Sequence, residues 1–92
     1  MPNKSRVKIN IYGKVQQVGF RNAIKEFAME RGITGWAANT PEGDVVINAE
    51  GKKLDLKGLI DWCKDGPEAA KVDRCEAYYQ HYKDEFTRFE IK

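Results

Sequence analysis

The chain has 92 residues, of which 41% are hydrophobic and 33% are charged, and its formal net charge is +2. This length suits one domain with a modest core, so we expect residues 1–92 to form a single domain. No apolar run is long enough to cross a membrane and no signal-peptide core opens the sequence, which predicts a cytoplasmic protein without a membrane partner. The charge is too small to indicate nucleic acid, although it does not repel an anion.

The two cysteines, Cys63 and Cys75, lack the spacing of metal ligands. In a protein without a secretory signal, we expect free thiols in a reducing compartment. Packing is the simplest role for both side chains.

The first third of the chain predicts a strand, a loop and a helix. Apolar and polar residues alternate from Arg6 to Tyr12, as in a half-buried strand. Apolar residues then share one helical face from about Arg21 to Arg31, and Gly32 is well placed to end that helix. The segment between strand and helix carries a glycine near each end, which allows close approach of a ligand to the backbone.

This loop has the properties of an anion site. The first N–H groups of a helix lack partners within it, and the helix dipole favours negative charge there. Arg21 adds a planar fork of donors suited to phosphate or carboxylate. The loop is not a Walker loop and does not fit the dinucleotide fingerprint. Physical chemistry alone therefore predicts a phosphate site, with a solvated surface arginine as the alternative.

A hairpin is predicted next. Ile33 to Asn39 is the second strand, Pro41-Glu42-Gly43 has turn chemistry, and alternation from Val45 to Glu50 marks the third strand. Asn39, just before the turn, is by its type alone a turn residue.

The second helix is predicted from about Leu54 to Asp65, with Asp55 as N-cap and Gly66 followed by Pro67 as the stop. Gly58 within it costs about 1 kcal/mol relative to alanine.

Two strands complete the pattern. Lys71 to Tyr82 is extended, and the odd separation of Val72 and Cys75 predicts a bulge or twist. Phe89 and Ile91 belong to a short last strand. The order β-α-β-β-α-β plus a terminal strand predicts an α+β fold of the ferredoxin-like, split βαβ type.

Four motifs in order make the chain resemble the acylphosphatases. They are Gly13-Lys14-Val15-Gln16-Gln17-Val18-Gly19-Phe20-Arg21, Gly35-Trp36-Ala37-Ala38-Asn39-Thr40-Pro41-Glu42-Gly43-Asp44-Val45, Gly66-Pro67-Glu68-Ala69-Ala70-Lys71-Val72 and Phe89-Glu90-Ile91. The resemblance covers nearly the whole chain. It implies an antiparallel-dominated sheet with both helices on one face.

The resemblance also implies an activity and a site. The enzyme would hydrolyse acyl phosphates to carboxylate and inorganic phosphate, without metal or cofactor, and we expect a monomer. Arg21 would bind phosphate and Asn39 would orient the attacking water. The phosphate cradle would comprise Gln16, Gln17, Val18, Gly19, Phe20 and Arg21.

These residue types suit that chemistry. A carboxylate is a good leaving group, and charge in phosphoryl transfer spreads over the equatorial oxygens, so fixed donors and positioning can supply the catalysis. Asn39 can hold water but is too weakly basic to take its proton, and the resemblance implies that the substrate phosphate accepts it.

Two positions depart from the family pattern. Gln17 stands where glycine is usual and costs about 1 kcal/mol or more if that position needs a positive φ. Ala38 replaces a residue that is often basic. Both changes predict a lower rate, and they leave a phosphate-binding module without catalysis as the alternative function.

Nucleic-acid binding is a third hypothesis, because many RNA-binding domains share the split βαβ layout. The aromatic signature of those domains is missing. The run Tyr78-Tyr79-Gln80-His81-Tyr82 is better explained by strand packing, and its histidine by surface exposure. We therefore expect a small-molecule substrate and no nucleic-acid partner.

Overall fold

Five strands and two helices follow one another in the order that the periodicities predict. The structure, a computed structural model, describes residues 3–92. Its elements are β1 (Lys4–Lys14), α1 (Phe20–Glu30), β2 (Thr34–Asn39), β3 (Val45–Lys52), α2 (Lys53–Cys63), β4 (Lys71–Gln80) and β5 (Phe89–Ile91). No helix in this range is long and apolar enough to cross a membrane.

All five strands form one sheet in the order β4-β1-β3-β2-β5. The pairs β1–β3, β1–β4 and β2–β3 are antiparallel, and only the short β5 runs parallel to its neighbour β2. The ferredoxin-like split βαβ prediction, with an antiparallel-dominated sheet, is confirmed.

The core lies between one face of this sheet and the two helices. From β1, Val7, Ile9 and Ile11 are fully buried, as the alternating pattern predicts. The helices add side chains spaced along one helical face, which are Phe20, Ile24, Ala28, Leu56, Leu59 and Cys63. The opposite sheet face is more open, since Lys8 is exposed and Tyr12 is half-buried.

A bulge interrupts the pairing of β1 with β4 just before the loop. Tyr12 pairs with Arg74 but Gly13 pairs with Val72, which leaves Asp73 as the extra residue. The predicted bulge is therefore confirmed. Gly13 has φ 129°, and a Cβ built there would lie 2.3 Å from the carbonyl oxygen of Lys71. The strand can approach β4 this closely only because residue 13 has no side chain.

The start of α2 differs from the prediction. Lys52 is the N-cap, with no side-chain cap, and Asp55 lies inside the first turn. The prediction that Asp55 caps this helix is wrong because β3 passes directly into α2. The N–H of Lys53 instead donates to the carbonyl oxygen of Asn3, a contact between residues far apart in sequence.

β4 ends at Gln80 rather than at Tyr82, because a buried carboxylate binds the backbone that follows. Glu50, only 1% exposed, accepts hydrogen bonds from the N–H groups of Lys83 (2.7 Å) and Glu85 (2.9 Å). Arg6 contacts the same carboxylate. These bonds fix the segment 81–88, which connects β4 to β5, against the end of β3.

Candidate active site

The loop between β1 and α1 has an unusual backbone. Gly19 is the N-cap of α1 with φ 76°, and its carbonyl oxygen accepts the N–H of Ala23 at 3.1 Å. Gln17 also has a positive φ, 62°. Left-handed residues are typical of backbone nests that bind anions. Here they lie within three residues of the start of α1, where the first N–H groups of a helix lack partners.

A cavity of about 140 Å³ lies at this helix start. Its lining residues come from the loop, from the first turn of α1 and from the end of β2, and are Val15, Gln17, Gly19, Phe20, Arg21, Asn22 and Asn39. Arg21 and Asn39 belong to different elements, and the fold brings them to one cavity.

The Arg21 side chain is held by the segment after β5. Its Nη1 donates to the main-chain carbonyl oxygen of Lys92 at 2.9 Å. The N–H of Lys92 in turn donates to Ala37 of β2 at 2.8 Å. A guanidinium has five N–H donors, so one hydrogen bond to Lys92 leaves the others for an anion.

Asn39 ends β2, and its side chain is exposed. The turn that follows is closed by the N–H of Thr40, which donates to Asp44 at 2.9 Å, and by the N–H of Gly43, which donates to Thr40 at 3.1 Å. The Thr40 hydroxyl also accepts the N–H of Asp44 at 3.1 Å. A well-bonded turn therefore fixes the backbone next to Asn39.

The six predicted cradle residues do not all line the cavity. Gln17, Gly19, Phe20 and Arg21 line it, whereas Gln16 and Val18 do not. Val18 packs against the core. The half-buried Gln16 uses its Nε2 to donate to the carbonyl oxygens of Thr40 (2.8 Å) and Asp44 (2.9 Å).

Phe20 anchors the start of α1 in the core. It is only 2% exposed, and its ring meets Trp62 of α2 edge-on, with 5.5 Å between ring centroids. The residue that precedes Arg21 is thereby fixed, so the guanidinium starts from a rigid backbone.

Asn22 also lines the cavity, and the sequence interpretation missed it. It lies in the first turn of α1 and is exposed. Its position directly after Arg21 was the available signal, because side chains in a first helical turn lie beside the free N–H groups.

The cysteines lie outside this cavity. Both are free thiols; Cys63 is buried and Cys75 half-buried. Burial raises the pKa of each thiol, which disfavours the reactive thiolate and suits the predicted packing role. Within residues 3–92, no three His, Cys, Asp or Glu side chains are grouped as a metal site would require.

Comparison with known proteins agrees with the fold. The sequence profile of the family described as Acylphosphatase matches residues 7–91. A curated acylphosphatase of Marinobacter nauticus is 45% identical over 85 residues, covering 92% of each chain.

Two solved acylphosphatase structures have the same fold. The enzyme of Bacillus subtilis is 31% identical with a TM-score of 0.91, covering 96% of this chain and 98% of its own. The enzyme of Coxiella burnetii is 29% identical with a TM-score of 0.92, covering 98% and 94%. These similarities span almost the whole of each protein and support hydrolysis of acyl phosphates rather than phosphate binding alone. The chain belongs to the acylphosphatase family.

Proposed function

We propose that Arg21 and the main-chain N–H groups of residues 16–21 bind the phosphoryl group of the acyl phosphate. Asn39 orients the water that attacks phosphorus. The observation that carries this assignment is the shared cavity, which has Arg21 on one element and Asn39 on another. A site for in-line displacement needs this separation of phosphate ligand and water ligand.

The electrostatics favour a dianion in this cavity. The guanidinium forms charge-assisted hydrogen bonds with phosphate oxygens, and the helix N-terminus adds partial positive charge. These donors are fixed before substrate binds, since Lys92 holds the guanidinium and Phe20 is packed in the core. Fixed donors stabilise charge in the transition state without reorganising during the reaction.

The bond changes are simple. The oxygen of water bonds to phosphorus while the bond from phosphorus to the acyl oxygen breaks, and its electron pair leaves with the carboxylate. Asn39 accepts one hydrogen of the water through its carbonyl and so aims a lone pair at phosphorus. A carboxamide does not take up the proton, so the proton passes to a phosphate oxygen. The products are a carboxylate and inorganic phosphate.

Gln17 adds strain at this site. Its positive φ of 62° is the conformation in which glutamine costs about 1 kcal/mol or more relative to glycine. The strained residue lines the cavity. We expect the cradle to be retained and the rate to be below that of relatives with glycine at this position.

Other properties follow from the same proposal. Residues 1–92 act as a single, monomeric domain in the cytoplasm, on a small acyl phosphate, without metal, cofactor or nucleic-acid partner. One continuous sheet over one core supports the single domain. Light scattering on purified protein tests the monomer, and an RNA shift assay at low salt tests for nucleic-acid binding.

Turnover of benzoyl phosphate with a chelator present tests the residue roles. Wild type is expected to hydrolyse it, whereas Arg21→Ala and Asn39→Ala, each folded by circular dichroism, are expected to lose nearly all activity. Full activity in either folded variant contradicts the role of that residue. Loss of wild-type activity on chelation contradicts the metal-independent mechanism.

A further inference from the structure

One side chain joins the phosphate loop to the turn after β2. The Nε2 of Gln16 donates to the carbonyl oxygens of Thr40 and Asp44, at 2.8 and 2.9 Å. Since both partners are acceptors, only the amino end of the carboxamide can face them, which fixes its orientation. Within residues 3–92 no other hydrogen bond joins residues 15–19 to residues 40–44.

The two carbonyl groups that Gln16 binds also close the turn. The carbonyl oxygen of Thr40 accepts the N–H of Gly43, and that of Asp44 accepts the N–H of Thr40. Thr40 directly follows Asn39, and Asn39 pairs with Val45 across the hairpin. Val45 in turn pairs with Ile11 of β1, so the sheet fixes one side of Asn39. The two bonds from Gln16 fix the turn on its other side to the loop.

We infer that Gln16 is a positioning residue that sets the distance between Asn39 and the phosphate held by the loop. The inference rests on the proposed role of Asn39 in orienting water. The Gln16 side chain does not line the cavity, so it acts through the turn rather than on the phosphate. Both bonds end on the turn that follows Asn39, so their loss displaces the water more than the anion. A misplacement of about 1 Å can lower a rate about a hundredfold.

The variant Gln16→Met tests this inference, because methionine has the same length and no N–H. We expect kcat for benzoyl phosphate to fall by about tenfold or more, while the inhibition constant of inorganic phosphate stays within about twofold. Gln80→Met, at the exposed end of β4, is the matched control and leaves both constants unchanged. An equal loss in phosphate affinity and in kcat, or an unchanged kcat, overturns the inference.

A double-mutant cycle with Asn39→Ala separates positioning from a general structural effect. If Gln16 works through Asn39, then Gln16→Met lowers kcat little further in the Asn39→Ala background. Additive losses show that Gln16 acts independently of Asn39 and overturn the inference while leaving the proposed function intact. A fully active Asn39→Ala enzyme overturns both.

Folding of each variant is checked by circular dichroism and by the urea midpoint. If Gln16→Met does not fold, Gln16→Asn is measured in its place. It keeps a carboxamide, but the amino group is one methylene too short to reach both carbonyls. The same fall in kcat at constant phosphate affinity is expected, and full activity in Gln16→Asn overturns the inference.

Discussion

The Nη1 of Arg21 lies 2.9 Å from the main-chain carbonyl oxygen of Lys92. This hydrogen bond ties the first turn of α1 to the segment that follows β5. The same segment is fixed to β2 through the bond from Lys92 to Ala37. The guanidinium thus has a rigid support on the strand that also carries Asn39.

The first prediction concerns the fork geometry of Arg21. Arg21→Lys keeps the positive charge but replaces the planar guanidinium with a single ammonium group. That group cannot donate to the Lys92 carbonyl oxygen and also bind phosphate through two parallel hydrogen bonds. We expect kcat/KM to fall about a hundredfold and the inhibition constant of phosphate to rise. Steady-state kinetics with phosphate as competitor measure both constants.

Arg31→Lys is the matched control for that variant. Arg31 is the C-cap of the same helix, and its guanidinium lies over the Phe27 ring, away from the cavity. Its kinetic constants are expected to stay at the wild-type values. Wild-type kinetics in Arg21→Lys would show that charge alone suffices.

The second prediction concerns strain at Gln17. Gln17→Gly removes the backbone strain of a glutamine with positive φ. Glycine also increases the conformational entropy of the unfolded chain, and this offsets part of the gain in stability. We expect the free energy of unfolding to rise by about 1 kcal/mol in urea titrations. We also expect kcat to rise, because glycine adopts this left-handed conformation without strain beside the cavity.

Asp84 also has a positive φ, 51°, but does not line the cavity, so Asp84→Gly relieves similar backbone strain away from the site. It is therefore the control for activity and is expected to leave kcat unchanged. If Gln17→Gly is less stable than the wild type, the contacts of the Gln17 side chain contribute more stability than its backbone strain costs.

The third prediction concerns close packing of β2 on β3. A Cβ on Gly35 would lie 1.9 Å from the carbonyl oxygen of Asn48, whereas a Cβ on Gly43 would meet nothing within 4 Å. Both glycines have positive φ. Gly35→Ala should therefore lose about 3 kcal/mol of stability or more and Gly43→Ala only about 1 kcal/mol, as measured by urea unfolding. Equal losses would show that backbone strain, rather than contact with β3, accounts for the need for glycine.

The fourth prediction concerns the pH dependence of stability through Glu50. Burial acts to raise the pKa of this carboxyl, but the N–H groups of Lys83 and Glu85, with Arg6, outweigh it and lower the pKa below its usual range. The folded protein therefore binds this proton less tightly than the unfolded chain does. The resulting stabilisation is complete above the unfolded pKa of about 4.3 and is lost as pH falls through the folded value.

Comparison with Glu50→Gln measures this contribution. The wild type is expected to be more stable near neutral pH, and the difference should shrink on acidification below about pH 4.3. Glu42→Gln removes a carboxylate at an exposed position in the hairpin turn and is the control. If the difference in unfolding free energy between wild type and Glu50→Gln does not change with pH, the effect arises from packing rather than from ionisation of Glu50.

Local patterns were enough to predict most of the fold. The alternation of Val7, Ile9 and Ile11 predicted both β1 and its buried face, and Gly66 with Pro67 correctly placed the end of α2 within a few residues. The register irregularity in β4 was also visible as a change of phase. Each of these signals arises from neighbours in sequence.

Contacts between distant residues could not be predicted in this way. Nothing near Gln16 in sequence indicates that its side chain binds Thr40 and Asp44, and the composition of residues 81–88 does not reveal the buried carboxylate of Glu50. Arg21 and Asn39 were identified through motif resemblance, because their meeting at one cavity depends on the tertiary fold.

The most direct test of the site is a crystal structure of the wild-type protein soaked with inorganic phosphate. We expect the anion in the cavity at the start of α1, with oxygens about 2.7–3.1 Å from the Arg21 guanidinium and from loop N–H nitrogens. The Asn39 carboxamide should face it across room for one water molecule. Phosphate bound elsewhere, with Arg21 making no contact to it, would contradict the assignment.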